Sequence, residues 1–487
     1  MVLLKRFWKK ALPSSPPADK KNQSKFIQSD NFILFGEDVD NKAEKLFGTD
    51  GVRGRANQHP ITPEMAVKIG RAAALYFQSR KNGAVKIGIG RDTRISGNML
   101  ESAAAAGICS AGADAMFADV IPTPGLAHVI RKFDLDAGVM ISASHNPFED
   151  NGLKIFGGKG FKLSDEVENE IEALAFKDFP GGRVGKTHQI PDAQDSYAAF
   201  LQSLLPGETP LKGLKIVLDA SNGATYSIAP QVFSRLGAEI IPLFTSPDGM
   251  NINVDCGSQH PETLQKEVIA GKAHLGLAFD GDGDRLIAVD ETGARISGDQ
   301  ILIICGAWLK ETGRLAQNTV VSTVMSNLGF KKALDRMDIK HIAADVGDRY
   351  VLEAMQASGA VIGGEDSGHM IFLDCHTTGD GILSGIQLIG AMLHFQKPLS
   401  ELGRMMDVFP QVLINIPVTS KPDLATVKPV AAAIEKAENA LGDQGRILVR
   451  YSGTRSVCRV MVEGPTREAT QGTAQAIAEI VKQELGE

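Results

Sequence analysis

Three observations predict an α/β protein built from repeated, mostly parallel sheet units. From about Leu46 short apolar runs alternate with longer helical patterns, which implies strands joined by right-handed crossovers. The alternation restarts near residue 212 and again after Gly298. A last segment after Pro410 is strand-rich and too short to repeat the earlier units. The expected fold class is three similar mixed α/β domains plus a smaller C-terminal α+β domain. The domains expected are 45–205, 206–298, 299–410 and 411–487, preceded by an extension of residues 1–44.

The extension differs from the rest. Leu3, Leu4, Phe7, Trp8, Ala11 and Leu12 recur at helical spacing, with Lys5, Arg6, Lys9 and Lys10 opposite. The expected reading is a flexible extension, with a Ser/Pro-rich linker over 13–19. The alternative is a short basic amphipathic helix making a weak membrane or partner contact. In the first unit, Val85–Ile89 reads as a strand, Leu100–Ala111 as an Ala-rich helix and Ala137–Ile141 as a strand. In the second, Lys215–Asp219, Leu275–Phe279 and Arg285–Val289 read as strands. The third has a helix over 299–311, strands at Thr319–Val324, His341–Asp345 and Ala360–Gly364, and a long helix over Asp380–Gln396. The fourth has strands at Val412–Val418, Arg446–Arg450 and Val457–Val462, with helices over 427–440 and 467–485.

Composition excludes several classes. At 487 residues the chain exceeds one core, and 43% hydrophobic with 22% charged residues is ordinary for a soluble globular protein. A net charge of −7 argues against nucleic acid. No run approaches the ~18 apolar residues of a membrane span. The five cysteines are odd in number and form no CxxC pair, so neither a disulfide framework nor a zinc site is expected. A reducing, cytoplasmic setting follows.

The chemistry concentrates at strand ends. Ser142-Ala143-Ser144-His145-Asn146-Pro147 follows the strand Ala137–Ile141, and Pro147 forces a turn. A small serine there is a candidate nucleophile. Asp280-Gly281-Asp282-Gly283-Asp284-Arg285 follows another strand. Three carboxylates among glycines repel one another without a cation, and hard oxygen donors suit Mg²⁺. An EF-hand is excluded because Arg285 stands where that loop needs glycine. Gly363-Gly364-Glu365-Asp366-Ser367-Gly368-His369 supplies hydroxyl recognition and a group titrating near neutrality. Arg450-Tyr451-Ser452-Gly453-Thr454-Arg455-Ser456, joined by Arg459, combines cations, hydroxyls and backbone amides as a phosphate cradle. Phe47–Gly54 and Gly90-Arg91-Asp92-Thr93-Arg94 place arginines on glycine-rich loops, as phosphate handling requires, and Lys154 lies ten residues past Ser144.

In this order the stretches resemble the α-D-phosphohexomutase family, over roughly residues 46–464. Phe47–Gly54, Thr323–Gly329, Val346–Tyr350 and Thr377–Gly381 resemble its amino-sugar members. The resemblance implies four domains around one cleft. It implies that Ser144 is phosphorylated and that Asp280, Asp282 and Asp284 hold Mg²⁺ beside it. Glu365 and Ser367 would read sugar hydroxyls, with Arg285, Gly347, Asp348 and Arg349 also on the substrate. Arg450, Ser452, Gly453 and Thr454 would hold the phosphate that is not transferred. Arg53 and Lys154 would stabilise the moving group or move a proton, and His145 or His369 would shuttle one. The implied reaction takes glucosamine 6-phosphate to glucosamine 1-phosphate through a sugar 1,6-bisphosphate, which also activates the enzyme. Mannose or glucose phosphates are alternative substrates, and a weakly catalytic sugar-phosphate-binding relative is the alternative of another class. Two departures bear on this. Tyr451, Arg455 and Ser456 replace the family's Pro, Glu and Pro, and Asp366 replaces its Gln. A carboxylate at 366 would favour an ammonium-bearing sugar.

Overall fold

The computed structural model describes residues 45–48, 50–452 and 456–486. The amphipathic stretch of the extension, and Gly453 and Thr454 of the phosphate loop, lie outside them. Four sheets follow one another along the chain. The first has six strands in the order Val52–Arg55, Asp150–Gly157, Ala137–Ile141, Lys86–Arg91, Asp114–Val120, Thr187–Gln189. The second has five, in the order Arg295–Ile296, Leu286–Asp290, Leu275–Phe279, Lys215–Asp219, Glu239–Leu243. The third has four, in the order Lys340–Ala344, Thr319–Thr323, Ile362–Gly364, Met370–Phe372. The fourth, of three strands, is Gln411–Pro417, Val457–Glu463, Arg446–Tyr451.

The expected elements form close to their expected positions, because each expected strand carries an apolar run and the expected helices follow a break or cap. Ala137–Ile141 and Leu275–Phe279 are buried along their whole length, as strands covered on both faces must be. Asp380 does not open the long helix but caps it, accepting a hydrogen bond from Leu383 N, and the helix runs over Gly381–Phe395. That helix packs on the second sheet: its Gly385 lies against Leu277 and Phe233. Residues of the second and third sheets accordingly share one core, from Tyr197 through Leu277 and Ile386 to Met406.

The expected parallel strands form, and an antiparallel addition to each sheet matters for the site. Each of the first three sheets is mixed. A parallel set ends in an antiparallel partner: Asp150–Gly157 against Ala137–Ile141, Leu286–Asp290 against Leu275–Phe279, and Met370–Phe372 against Ile362–Gly364. In the all-antiparallel fourth sheet, Arg446–Tyr451 pairs with Val457–Glu463. The serine, triple-aspartate, glutamate and phosphate loops are therefore all hairpin connections, not strand-to-helix turns. Hairpin geometry returns the chain beside itself, and Lys154 comes back opposite Met140, next to the serine loop.

Among the described residues, no helix is long and apolar enough to cross a membrane. All five cysteines are free.

Candidate active site

The serine loop is fixed from below. Ser142 Oγ donates to Asp92 Oδ2 at 2.6 Å and accepts from Ser144 N at 2.9 Å. Ser144 takes a left-handed backbone conformation, φ +53°, which turns its hydroxyl out of the strand direction. Its Oγ donates to Asp280 Oδ2 at 2.5 Å and lies 3.3 Å from His145 Nδ1. The expectation that the arginines of residues 90–94 handle phosphate does not hold. Arg94 is buried, pairs with Asp92 at 3.0 Å, and donates to the carbonyls of Ser144, Asn146 and Pro147. Arg91 pairs with Glu101 at 2.9 Å. Arg94 stabilises the serine loop from within, and Arg91 ties its strand end to the helix Gly97–Ser110.

Asp280, Asp282 and Asp284 are buried, and each offers an oxygen within 4.8 Å of the others. Burial, then Asp284 and Asp282, pushes the Asp280 carboxyl well above its ordinary range. Burial also pushes Asp282 upward, but Lys154 at 2.9 Å and Thr123 Oγ1 at 2.6 Å outweigh it and leave Asp282 below that range. One oxygen each of Asp282 and Asp284 is buried without a hydrogen-bond partner. Orphaned hard oxygens beside the Ser144 hydroxyl are a donor set that fits a divalent cation and little else. Gly281 must be glycine here, since a Cβ would lie 2.5 Å from Ser144 O.

The other expected residues gather around this centre. Lys154 Nζ also lies 3.2 Å from Asp50 and 3.8 Å from Asp284. Asp50 binds Arg53, and Lys162 bridges Asp50 to Asp348. His369 Nε2 stands 3.8 Å from both Asp284 and Asp348, and neither ring nitrogen has a hydrogen-bond partner. Arg285 N donates to Asp280 Oδ1 at 3.1 Å, and Leu286 N to Gly368 O at 3.0 Å, which stitches the aspartate loop to the glutamate loop. Glu365 Oε1 accepts from Gly347 N at 3.1 Å, and Ser367 is exposed. Burial, then Arg285 and Arg53, pushes His145 down to about 4.

Two placements differ from a simple reading of the motifs. Arg349 is held by Asp165 and, at 2.8 Å, Glu168. Asp366 faces the start of the helix Gly298–Glu311, 3.5 Å from Asp299 N, where the helix dipole favours a carboxylate. Its position opposes the idea that it contacts an ammonium group. On the fourth sheet Arg450 and Arg459 stand directly opposite each other, and Lys421 Nζ donates to Ser452 O at 2.8 Å. Sequence reasoning missed Lys162, Thr123, Asn253 and Lys421, none of which lies in a recognisable cluster. Asp50 stood inside the Phe47–Gly54 stretch, where a carboxylate between glycine and arginine was the available signal.

Four family models match the chain in order. They describe phosphoglucomutase/phosphomannomutase α/β/α domains I, II and III over residues 44–180, 195–293 and 297–409, and the C-terminal domain over 413–480. Among curated proteins, the phosphoglucosamine mutase of Syntrophus aciditrophicus is 55% identical over 91% of this chain and 100% of its own length. That of Syntrophobacter fumaroxidans is 56% identical over 91% of this chain and 99% of its own. Among solved structures, a phosphoglucomutase/phosphomannomutase family protein from Burkholderia thailandensis superposes with TM-score 0.75 at 24% identity, covering 90% of this chain and 97% of its own. An N-acetylphosphoglucosamine mutase from Aspergillus fumigatus has TM-score 0.62 at 16% identity, covering 90% and 96%. At these identities the structures speak for the fold alone. The chain belongs to the phosphoglucomutase/phosphomannomutase family, the α-D-phosphohexomutases, and is a phosphohexomutase enzyme like the phosphoglucosamine mutases it matches.

Proposed function

We propose that this enzyme interconverts glucosamine 6-phosphate and glucosamine 1-phosphate, with Ser144 as its phosphorylated residue. The observation that carries the reading is the buried pairing of Ser144 Oγ with Asp280 inside the aspartate triad. The curated phosphoglucosamine mutases support the choice of sugar. Asp280, Asp282, Asp284 and Ser144 would hold Mg²⁺, which when bound supplies charge neutralisation for a phosphate on the serine.

The chain's own groups do the rest. A substrate hydroxyl attacks the phosphorus on Ser144, the bond from phosphorus to Ser144 Oγ breaks, and the hydroxyl proton passes to a nearby base. His145 and His369 stand close enough to serve, and Lys154 and Arg53 face the charge that develops. The resulting 1,6-bisphosphate turns over in the cleft. Ser144 Oγ then takes its other phosphoryl group, and the proton returns to the sugar oxygen. Glu365 and Ser367, with Arg285, Gly347, Asp348 and Arg349 behind them, would orient the sugar. Arg450, Ser452, Gly453, Thr454 and Arg459 would hold the idle phosphate. Each of the segments 45–205, 206–298, 299–410 and 411–487 contributes one hairpin loop, and we take them as the four domains. The free cysteines support a cytoplasmic, reducing setting.

The test is peptide mass analysis of purified protein, followed by mixing with glucosamine 6-phosphate and a trace of its bisphosphate. Phosphate on Ser144 with glucosamine 1-phosphate appearing is the expected result. Turnover confined to mannose or glucose phosphates would change the substrate, and no phosphoserine with no turnover would end the reading.

A further inference from the structure

The backbone around Ser144 is held by a residue that no motif contains. Asn253 comes from the second unit, 109 positions along the chain from Ser144. Its Nδ2 donates to Ser144 O at 2.9 Å and to Asn146 O at 3.0 Å. Those two carbonyls are the ones that Arg94 Nη2 also binds, at 2.9 Å each. The serine turn is thus clamped from two sides, by a buried guanidinium of its own unit and by an amide of the next. Asn253 Nδ2 also marks one wall of the space over Gly281, since a Cβ there would lie 2.8 Å from it and 2.5 Å from Ser144 O. The amide therefore sits where the serine loop and the aspartate loop touch.

We infer that Asn253 is a positioning residue for phosphoryl transfer: it fixes the Ser144 backbone against the aspartate loop, so that Oγ meets the carboxylate triad in one geometry. The inference rests on the phosphoserine reading above. The physical argument is one of degrees of freedom. Ser144 occupies a left-handed conformation that a non-glycine residue keeps only when its surroundings impose it. Arg94 alone restrains the turn relative to the first sheet. Asn253, a donor from the second unit, restrains its backbone relative to the aspartate loop, and a nucleophile displaced by about 1 Å costs on the order of 10²-fold in rate.

Two substitutions separate positioning from folding. Asn253 itself has φ +61°, so Asn253→Gly deletes the amide at a backbone conformation glycine adopts freely, and the bond from Asn253 N to Ser221 O remains. Asn253→Asp keeps the shape and sets a carboxylate against two carbonyl oxygens. The readouts are the phosphoserine content of each protein, kcat per phosphorylated enzyme, KM for glucosamine 6-phosphate, and the thermal midpoint. Asn253→Gly is expected to lower kcat per phosphoenzyme by roughly 10²-fold while KM stays within about threefold, with Asn253→Asp lower still. Asn253→Gln, which restores an amide donor, is expected to recover part of the rate. A kcat per phosphoenzyme equal to wild type in Asn253→Gly overturns the inference, as does a fall explained entirely by lost folded protein. Wild-type protein that carries no phosphoserine and turns nothing over would instead remove the phosphoserine reading, and the inference with it.

Discussion

Ser144 and Asp280 stand at hairpin ends where the charged side chains are buried and engaged, whereas Arg450 and Arg459 stand on a hairpin where they are half-buried and face each other. In the first region most buried charges have a partner of opposite sign: Asp282 has Lys154, Asp50 has Arg53 and Lys162, and Asp92 has Arg94, while the aspartate triad keeps unpartnered oxygens. In the second, burial and the neighbouring Arg459 both push the Arg450 guanidinium down, and only Asp345 opposes them. Arg459 Nε is also buried without a partner. The difference separates two tasks. Chemistry needs donors and acceptors that do not move, so that region is assembled when the chain folds. Holding a phosphate that must be released and rebound needs a region whose strain is relieved only by the ligand.

The sharpest way to break the comparison is at the preassembled centre. Ser144→Ala removes the group that carries phosphate and is expected to lower turnover by about 10⁴-fold or more. Asp282→Asn keeps the shape but takes away the partner of Lys154, with an expected loss of about 10²–10³-fold. Both are read as glucosamine 1-phosphate formed per minute, at unchanged sugar-phosphate affinity by calorimetry. A Ser144→Ala enzyme within tenfold of wild type would mean that the buried hydroxyl is structural.

The next test asks what joins the two regions. Arg446, beside the C-terminal hairpin, donates to Glu463 and to the carbonyls of Val324 and Ser326. Glu463 is fully buried and also accepts from Leu328 N at 2.9 Å and Gln411 Nε2 at 2.8 Å. The fourth sheet is thus tied to the third by a buried carboxylate. Arg446→Met should cost about 3 kcal/mol in urea unfolding, because it strands that charge. Arg80→Ala, which breaks the exposed pair with Glu170, should cost about 0.5 kcal/mol or less. Equal losses would show that the Glu463 junction is no more than a surface contact.

At the phosphate loop the effect should fall on binding. Arg450→Ala removes charge-assisted hydrogen bonds worth about 1.5–3 kcal/mol each, so KM should rise roughly 10–100-fold with a smaller change in kcat. A loss confined to kcat would place Arg450 with the reacting groups and erase the distinction between the regions.

These contrasts also explain what could be read in the chain. The loops were legible because each is a polar cluster cut into an apolar run, and strand ends concentrate chemistry. At the aspartate and phosphate loops the strands read on either side are too close in sequence for a crossover, so a hairpin was legible there. At the serine loop it was not, because Asp150–Gly157 carries Asn151, Gly152 and Lys154 within it, which masks a strand. Arg94 illustrates a different limit. Arginine on a glycine-rich loop has the right type for phosphate, but whether its guanidinium faces solvent or the carbonyls of a neighbouring turn is decided by packing. Asn253 and Lys162 were beyond reach for the same reason, since their partners lie on other elements and no spacing records the contact. The long helix Gly381–Phe395 reads correctly as a helix, yet its attachment to the second sheet depends on where the chain folds back.

The smallest effect probes the preassembled region through proton linkage. His376 is buried, and its Nε2 contacts Pro124 O at 2.8 Å, joining the third unit to the first. Burial pushes it down to about 4, with repulsion from His128 and Arg131 adding to the effect and the Pro124 contact opposing it. The unfolded chain binds a proton near pH 6.5, whereas the folded chain refuses it until about pH 4. The stability that follows from the depressed value is therefore complete above pH 6.5 and declines as pH falls through that window, by about 2 kcal/mol between pH 7 and pH 5. His376→Gln retains a donor for Pro124 O and does not titrate. Its unfolding free energy should lose about 2 kcal/mol less than wild type between pH 7 and pH 5, even though it starts lower at pH 7 from imperfect packing. His128 and His341, which burial also pushes down to about 4, titrate in both proteins and cancel in the difference. Parallel acid limbs would show that His376 accepts its proton in the folded state, and that this junction opens to water.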